Sequence, residues 1–100
     1  SGQRLFDAIP AQAAHVGLEE HGELVSLFSR TTLRERPSVT HRKQDIGALF
    51  QAFDNQQTIR EIISKELQES SGDHFANWVL ETCRQLYEAD LITLRTTPAP

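Results

Sequence analysis

The sequence lacks several residue types and patterns that mark particular classes of protein. It has no methionine and one cysteine, and no apolar run approaches the roughly 18 residues that suggest a transmembrane helix. One cysteine excludes an internal disulfide and is typical of a reducing compartment, so we expect a cytoplasmic location without a signal peptide. The missing methionine favours a domain taken from a longer protein, with a processed small protein as the alternative.

The chain also lacks the local signatures of common catalytic sites. It contains no Gly-rich phosphate loop, and it has no distinct Ser-His-Asp or paired-carboxylate pattern. His15 and Glu19 stand at i, i+4 of a predicted helix, and His21 follows. Two such groups are too few for a zinc site, which normally needs three or four ligands, and Cys83 is far along the chain. Cys83 falls on the apolar face of a predicted helix, where burial suits it better than a nucleophilic role. We therefore predict no enzyme activity, no metal and no other cofactor.

The composition is typical of one compact domain, and its charge is unevenly distributed along the sequence. Of the 100 residues, 38% are apolar and 24% are charged. The net charge of −4 divides into −3 for residues 1–29, +4 for residues 30–43 and −5 for residues 44–100. The segment 30–43 is a basic connector and a candidate contact for an acidic partner, through Arg34, Arg36, Arg42 and Lys43.

Hydrophobic periodicity predicts three helices and a strand in the second half of the chain. Ile46, Leu49 and Phe53 recur at helical spacing and predict a helix over 44–54. The segment from Thr58 to Glu61 has the pattern of a capping box, which predicts a second helix over 58–68. A third helix is predicted over 74–89, and the following LITLRT is predicted to be a strand. This is the element order of a winged-helix core over 44–96, with Val39 as the candidate partner strand.

The first half is predicted to be helical. The apolar residues of 11–33 fit two helices that break near Gly22, and Pro10 suits a first helical turn. The predicted fold class is therefore mainly α, with a winged-helix-like core, an N-terminal helical extension and a short β-strand pair. We expect a single domain over 1–100, in which 1–43 form the helical extension and basic connector, 44–96 the core, and 97–100 a linker-like tail.

The charge of the third helix decides between two kinds of partner. A winged helix that reads DNA places this helix in the major groove, but here its ends and exposed positions carry one arginine against four carboxylates, which phosphates would repel. Trp78 lies at the edge of the apolar stripe, and tryptophan is enriched at interface hot spots, although packing at the core is the alternative. The predicted docking face for a protein consists of Trp78, Glu81, Arg84, Gln85 and Glu88.

Two segments carry a resemblance to known modules, over about residues 44–94. LFQAFDNQQTIREIISKEL and VLETCRQLYEADLITL resemble bacterial winged-helix-like modules. They look like peptide-recognition domains of the PqqD type, found with peptide-modifying enzymes. They are also similar to the C-terminal helical module of class I methyltransferases with a regulatory region. The positions that carry the resemblance are Thr58, Glu61, Ile62, Leu91 and Ile92.

The resemblance implies two different modes of action. A PqqD-type domain has a β-hairpin sheet before its helices, to which a leader peptide adds a strand. The helices predicted before Arg36 depart from that pattern and favour the appended methyltransferase module.

The leading functional hypothesis is a non-catalytic protein-interaction or regulatory module of a larger cytoplasmic, bacterial protein. Its partner would be another protein or a neighbouring domain of the same chain, with nucleic acid and membrane not expected. One alternative is a DNA-binding winged helix that uses the basic connector and the wing. Another is an accessory domain that completes the substrate site of a larger enzyme such as a methyltransferase.

Overall fold

The structure, a computed structural model, describes residues 5–30, 38–67 and 73–97. These residues form an α+β fold with two antiparallel sheets and three helices, so the predicted mainly α class is wrong. The elements are β1 (Ile9–Gln12), β2 (Val16–His21), β3 (Leu24–Ser29), β4 (Val39–Arg42), α1 (Lys43–Ala52), α2 (Ile59–Leu67), α3 (Asp73–Glu88) and β5 (Ile92–Arg95).

The predicted N-terminal helical extension is a set of strands. β2 and β3 form a hairpin whose two-residue turn contains Gly22, with a φ of 63° that glycine adopts without strain. Pro10, which was expected in a first helical turn, lies in β1. Along β3 the buried side chains are Val25 and Leu27, which alternate as strand residues do. The helices predicted for 11–33 are therefore absent from the described part of that segment.

The strand pairing also differs from the prediction. The three-stranded sheet has the order β2-β3-β4, in which Val39 lies opposite Leu27. β5 pairs with β1 instead, with Ile9 opposite Arg95. Val39 therefore does not supply the partner of LITLRT, because that strand pairs with a segment near the start of the chain.

The three helices predicted for the second half are present, within two residues of their predicted bounds. The capping box at the start of α2 is formed. Thr58 Oγ1 accepts a hydrogen bond from the Glu61 N–H at 3.2 Å, and Glu61 Oε1 accepts one from the Thr58 N–H at 2.9 Å. In the turn before it, Asp54 Oδ1 accepts bonds from the N–H groups of Gln56 and Gln57, both at 2.9 Å. These bonds favour the carboxylate and lower the pKa of Asp54.

A Schellman motif ends α3 and directs the chain into β5. The Leu91 N–H donates to the Leu86 carbonyl at 2.8 Å, and the Asp90 N–H donates to the Tyr87 carbonyl at 3.1 Å. Asp90 occupies the left-handed position with a φ of 61°. Leu86 and Leu91 are both fully buried, which supplies the apolar contact that accompanies this motif.

One apolar cluster joins the helices to the three-stranded sheet. The sheet's inner face, which we define as the face carrying Val25, Leu27, Val39 and His41, contributes three of its residues to this core. None of the helices in the described residues is both long and apolar enough to cross a membrane. The buried members of the cluster are Val25, Leu27, Val39, Ile46, Leu49, Ile59, Ile62, Ile63, Val79, Cys83, Leu86, Ala89, Leu91 and Ile92.

Candidate functional site

β4 is an edge strand, and its hydrogen-bonding pattern fixes which backbone groups face outward. The Lys43 N–H donates to the Glu23 carbonyl at 2.9 Å, so this pair is hydrogen-bonded. Because such pairs alternate along an antiparallel ladder, Val39 and His41 direct their N–H and C=O groups toward β3. Thr40 and Arg42 direct their N–H and C=O groups away from β3, toward the open edge of β4. No other strand of the described residues pairs with that edge.

His41 links this edge to α3. Its ring meets the Trp78 ring edge-on, with centroids 5.8 Å apart and an interplanar angle of 84°. His41 Nε2 also lies 3.3 Å from Gln85 Oε1. Trp78 also stacks on Phe75, with centroids 6.4 Å apart. A continuous row of rings therefore runs from the strand edge to the start of α3.

Trp78 and Phe75 form one wall of a groove between the three helices. The groove has a volume of about 370 Å³. That is within the usual range for small-ligand pockets and large enough for a leucine or phenylalanine side chain. Gln44 and Asp45, in the first turn of α1, bring it close to the end of β4. We call it the helix groove, lined by Gln44, Asp45, Ala48, Leu49, Ala52, Ile62, Phe75 and Trp78.

The predicted docking face on α3 is only partly continuous with this groove. Trp78 is half-buried and lines the groove, and Gln85 reaches His41. Glu81 and Arg84 are exposed and form an ion pair with each other, which raises the pKa of the arginine. Glu88 is exposed near the C-terminal end of the helix. The structure therefore brings Trp78 and Gln85 to β4, and the charged residues lie on the solvent-facing side of α3.

The basic residues of the connector that the structure describes are Arg30, Arg42 and Lys43. Arg34 and Arg36 lie outside the described residues. Arg42 is exposed, whereas Lys43 Nζ lies 3.4 Å from Glu20 Oε2. Since Lys43 has an acidic neighbour and its charge is partly balanced, Arg42 and Lys43 make a weak site for an acidic partner.

The structure also shows where the candidate nucleophile and the candidate metal ligands lie. Cys83 is fully buried, and burial raises the pKa of its thiol to about 12, which leaves it protonated at neutral pH. His15, Glu19 and His21 lie on or beside β2, so their expected helical spacing is wrong. Within residues 5–30, 38–67 and 73–97, no three His, Cys, Asp or Glu residues are grouped to hold a metal ion.

A scan against protein-family models, a search of curated proteins and a search of solved structures found no match to this chain. The resemblance to PqqD-type domains and to the methyltransferase module therefore stays a prediction from the sequence pattern.

The sequence prediction missed the contribution of the strand. Thr40 and His41 received no functional role, because their segment was interpreted as a basic connector in which Val39 could supply a short strand. VTHR alternates between the two faces of a sheet. Gln44 and Asp45 received no role in the sequence prediction. The periodicity of one helix does not indicate which other helices its first turn will contact. The alternation and the Gly-Glu pair at residues 22 and 23 are the signals that would have indicated a hairpin followed by a third strand.

Proposed function

We propose that this chain is a non-catalytic module that binds an extended peptide segment of a protein partner. The peptide adds a strand to the outer edge of β4 and places an apolar side chain in the helix groove. The observation that carries this proposal is the position of Trp78, which contacts the edge strand through His41 and also lines the groove.

In strand addition the backbone and the side chains of the peptide make different contributions to binding. The outward N–H and C=O groups of Thr40 supply main-chain hydrogen bonds that any peptide sequence can form. Alternate side chains of the added strand then point to the inner face, beside His41 and Trp78. Specificity comes from this side, because the helix groove is apolar through Leu49, Ile62 and Phe75.

The three-stranded sheet that precedes the helices supports the resemblance to PqqD-type domains. A helical first half would have separated this chain from PqqD-type domains, to whose sheet a leader peptide adds a strand. With β2, β3 and β4 preceding α1, that difference is gone. Peptide binding is therefore favoured over the methyltransferase-type appended module.

The charges of the described residues favour a peptide over duplex DNA. α3 presents Glu81 and Glu88 to solvent, Arg84 is paired with Glu81, and Lys43 lies beside Glu20. Binding to duplex DNA depends on basic side chains that neutralise phosphates. Main-chain hydrogen bonds at the edge of β4 and an apolar groove have no such requirement.

A peptide selection followed by an NMR titration tests the proposal. Random peptides of about 12 residues are displayed and selected against the chain, since a strand and its flanks fit within that length. The selected peptide is then titrated into the ¹⁵N-labelled chain. We expect the largest shifts at the amides of Thr40 and Arg42 and at the Trp78 indole, with salt-tolerant affinity. Shifts confined to other surfaces would contradict the proposal, as would a selection that enriches no peptide.

Two substitutions at one position isolate the backbone contribution. Thr40→Pro removes the outward N–H, which β3 does not use, and an edge strand tolerates proline there. Thr40→Val keeps that N–H and removes only the hydroxyl that contacts Ser26. We expect Thr40→Pro to weaken peptide binding about threefold to tenfold relative to Thr40→Val, the value of one hydrogen bond. Equal affinities of the two variants would exclude strand addition at β4.

A further inference from the structure

The second edge of the three-stranded sheet belongs to β2. The Arg30 N–H donates to the His15 carbonyl at 2.9 Å, so this pair is hydrogen-bonded. By alternation along the ladder, Val16, Leu18 and Glu20 direct their N–H and C=O groups away from β3. No other strand of the described residues pairs with this edge. Leu18 is the most exposed large apolar residue of the described chain, with 58% of its surface accessible.

We infer that this edge pairs with the same edge of a second copy of the chain. The two β2 strands run antiparallel about a two-fold axis at Leu18. Leu18 then lies opposite Leu18 of the second copy, and Val16 lies opposite Glu20 of that copy. The outward backbone groups of all three residues become hydrogen-bonded.

The order of charges along β2 selects this register. Outward-facing residues must pair with outward-facing residues, which leaves a small set of possible centres. A centre at Glu19 or at Glu20 places that glutamate opposite its own copy, which is destabilising. A centre at Gly17 leaves only a three-residue overlap of the two β2 strands. The centre at Leu18 is the longest register that opposes no like charges, because Glu19 then faces Gly17.

The same register explains why a second copy suits this edge better than an unrelated strand. A two-fold axis places the same residue on both sides at its centre, and an exposed leucine is the side chain that benefits from meeting itself. The paired sheets continue as one sheet of six strands. Its two ends are the β4 strands, so the proposed peptide sites remain open in the dimer.

Sedimentation velocity of the 100-residue chain tests the inference. Concentrations from about 10 μM to about 1 mM cover the range in which weak interfaces assemble. We expect the weight-average sedimentation coefficient of the wild-type chain to rise from the monomer value to the dimer value within this range. A chain that stays monomeric throughout overturns the inference.

Matched substitutions locate the contact. Leu18→Lys places two positive charges at the axis, and we expect it to raise the dimer dissociation constant at least about tenfold. Leu24→Lys is the control, because Leu24 is also exposed, at 43%, but lies on β3 away from the axis. An equal effect of the two substitutions overturns pairing at β2.

A charge exchange tests the two-fold register itself. Leu18→Lys and Leu18→Glu each oppose like charges in a homodimer, whereas their mixture places a lysine opposite a glutamate. We expect the one-to-one mixture to dimerise at least about tenfold more tightly than either variant alone. A mixture no tighter than its components overturns a centre at Leu18.

Discussion

Filling the helix groove from the surface should abolish specific peptide binding without unfolding the protein. Ala48 lines the groove on α1 and is exposed, so a larger side chain there projects into the groove and leaves the core in place. Leu49, its neighbour on the same helix, is buried and would leave a cavity if truncated. Ala48→Leu is therefore the substitution that separates binding from stability.

The magnitude follows from the side chain that the groove would accept. A volume of about 370 Å³ is large enough for one leucine or phenylalanine side chain of the peptide. Burial of such a side chain contributes about 1.5–3 kcal/mol. Its exclusion should weaken binding by roughly 10- to 150-fold, since each step of about 1.4 kcal/mol corresponds to a factor of ten. The free energy of unfolding should change by less than about 0.5 kcal/mol, as for most surface substitutions.

Fluorescence anisotropy of a labelled selected peptide measures the dissociation constant for the wild-type chain and two variants. Gln51→Leu is the matched control, because Gln51 is exposed on α1 and does not line the groove. We expect wild-type affinity for Gln51→Leu and a large loss for Ala48→Leu. If Ala48→Leu bound the peptide as the wild-type chain does, the groove would not hold the anchor side chain.

Three further predictions concern the fold that supports the site. In Gly17→Ala the new Cβ would lie 2.3 Å from Phe28 Cε2, so the ring must move, and urea denaturation should show a loss of about 1 kcal/mol. The folded-state pKa of Asp54 is lowered, so its stabilising contribution is present above the ordinary aspartate pKa of 3.8 and is lost as the pH falls through the folded value. The stability difference between wild type and Asp54→Asn should therefore shrink from about pH 7 to about pH 3, and a constant difference would contradict this. Cys83 should react with a thiol-specific disulfide reagent only in denaturant, because it is buried and burial raises its pKa to about 12, and rapid labelling of the native chain would refute this.

The parts of the fold that the sequence predicted are those governed by local interactions. The capping box at Thr58 and the periodic apolar faces of α1 and α3 depend on residues within one or two turns. β5 was predicted as a strand for the same reason. The strand that pairs with β5 was not predicted. Ile92 pairs with Gln12, which is distant in the sequence, and no local pattern in either segment indicates this pairing.

The first half was predicted wrongly because its apolar residues fit two periods. Leu24, Val25, Leu27 and Phe28 lie at spacings that form one face of a helix. In the hairpin the same four residues divide between the two faces of the sheet, with Val25 and Leu27 buried on the inner face. Gly22 was interpreted as a weak point in a helix, whereas its positive φ makes it the turn.

The candidate site was half predicted for a related reason. Trp78 and Gln85 were identified from one helix, where spacing defines a face. The groove that Trp78 lines also needs Gln44 and Asp45 from α1, and the strand edge needs Thr40. A site assembled from three elements depends on tertiary packing, which no single periodic pattern describes.

The pairing of β1 with β5 has a mechanical consequence. Ile9 lies opposite Arg95, so the chain enters β1 and leaves β5 at the same end of this two-stranded sheet. Tension between the segments that flank these residues would open the hydrogen bonds one pair at a time, as a zipper opens, and would not load them all together in shear. Ala8 accepts a hydrogen bond from the Ile59 N–H at 2.9 Å, which joins this pair to the start of α2. We therefore expect a small pulling force to detach β1 from β5 first, and the three-stranded sheet with its β4 edge to yield only afterwards.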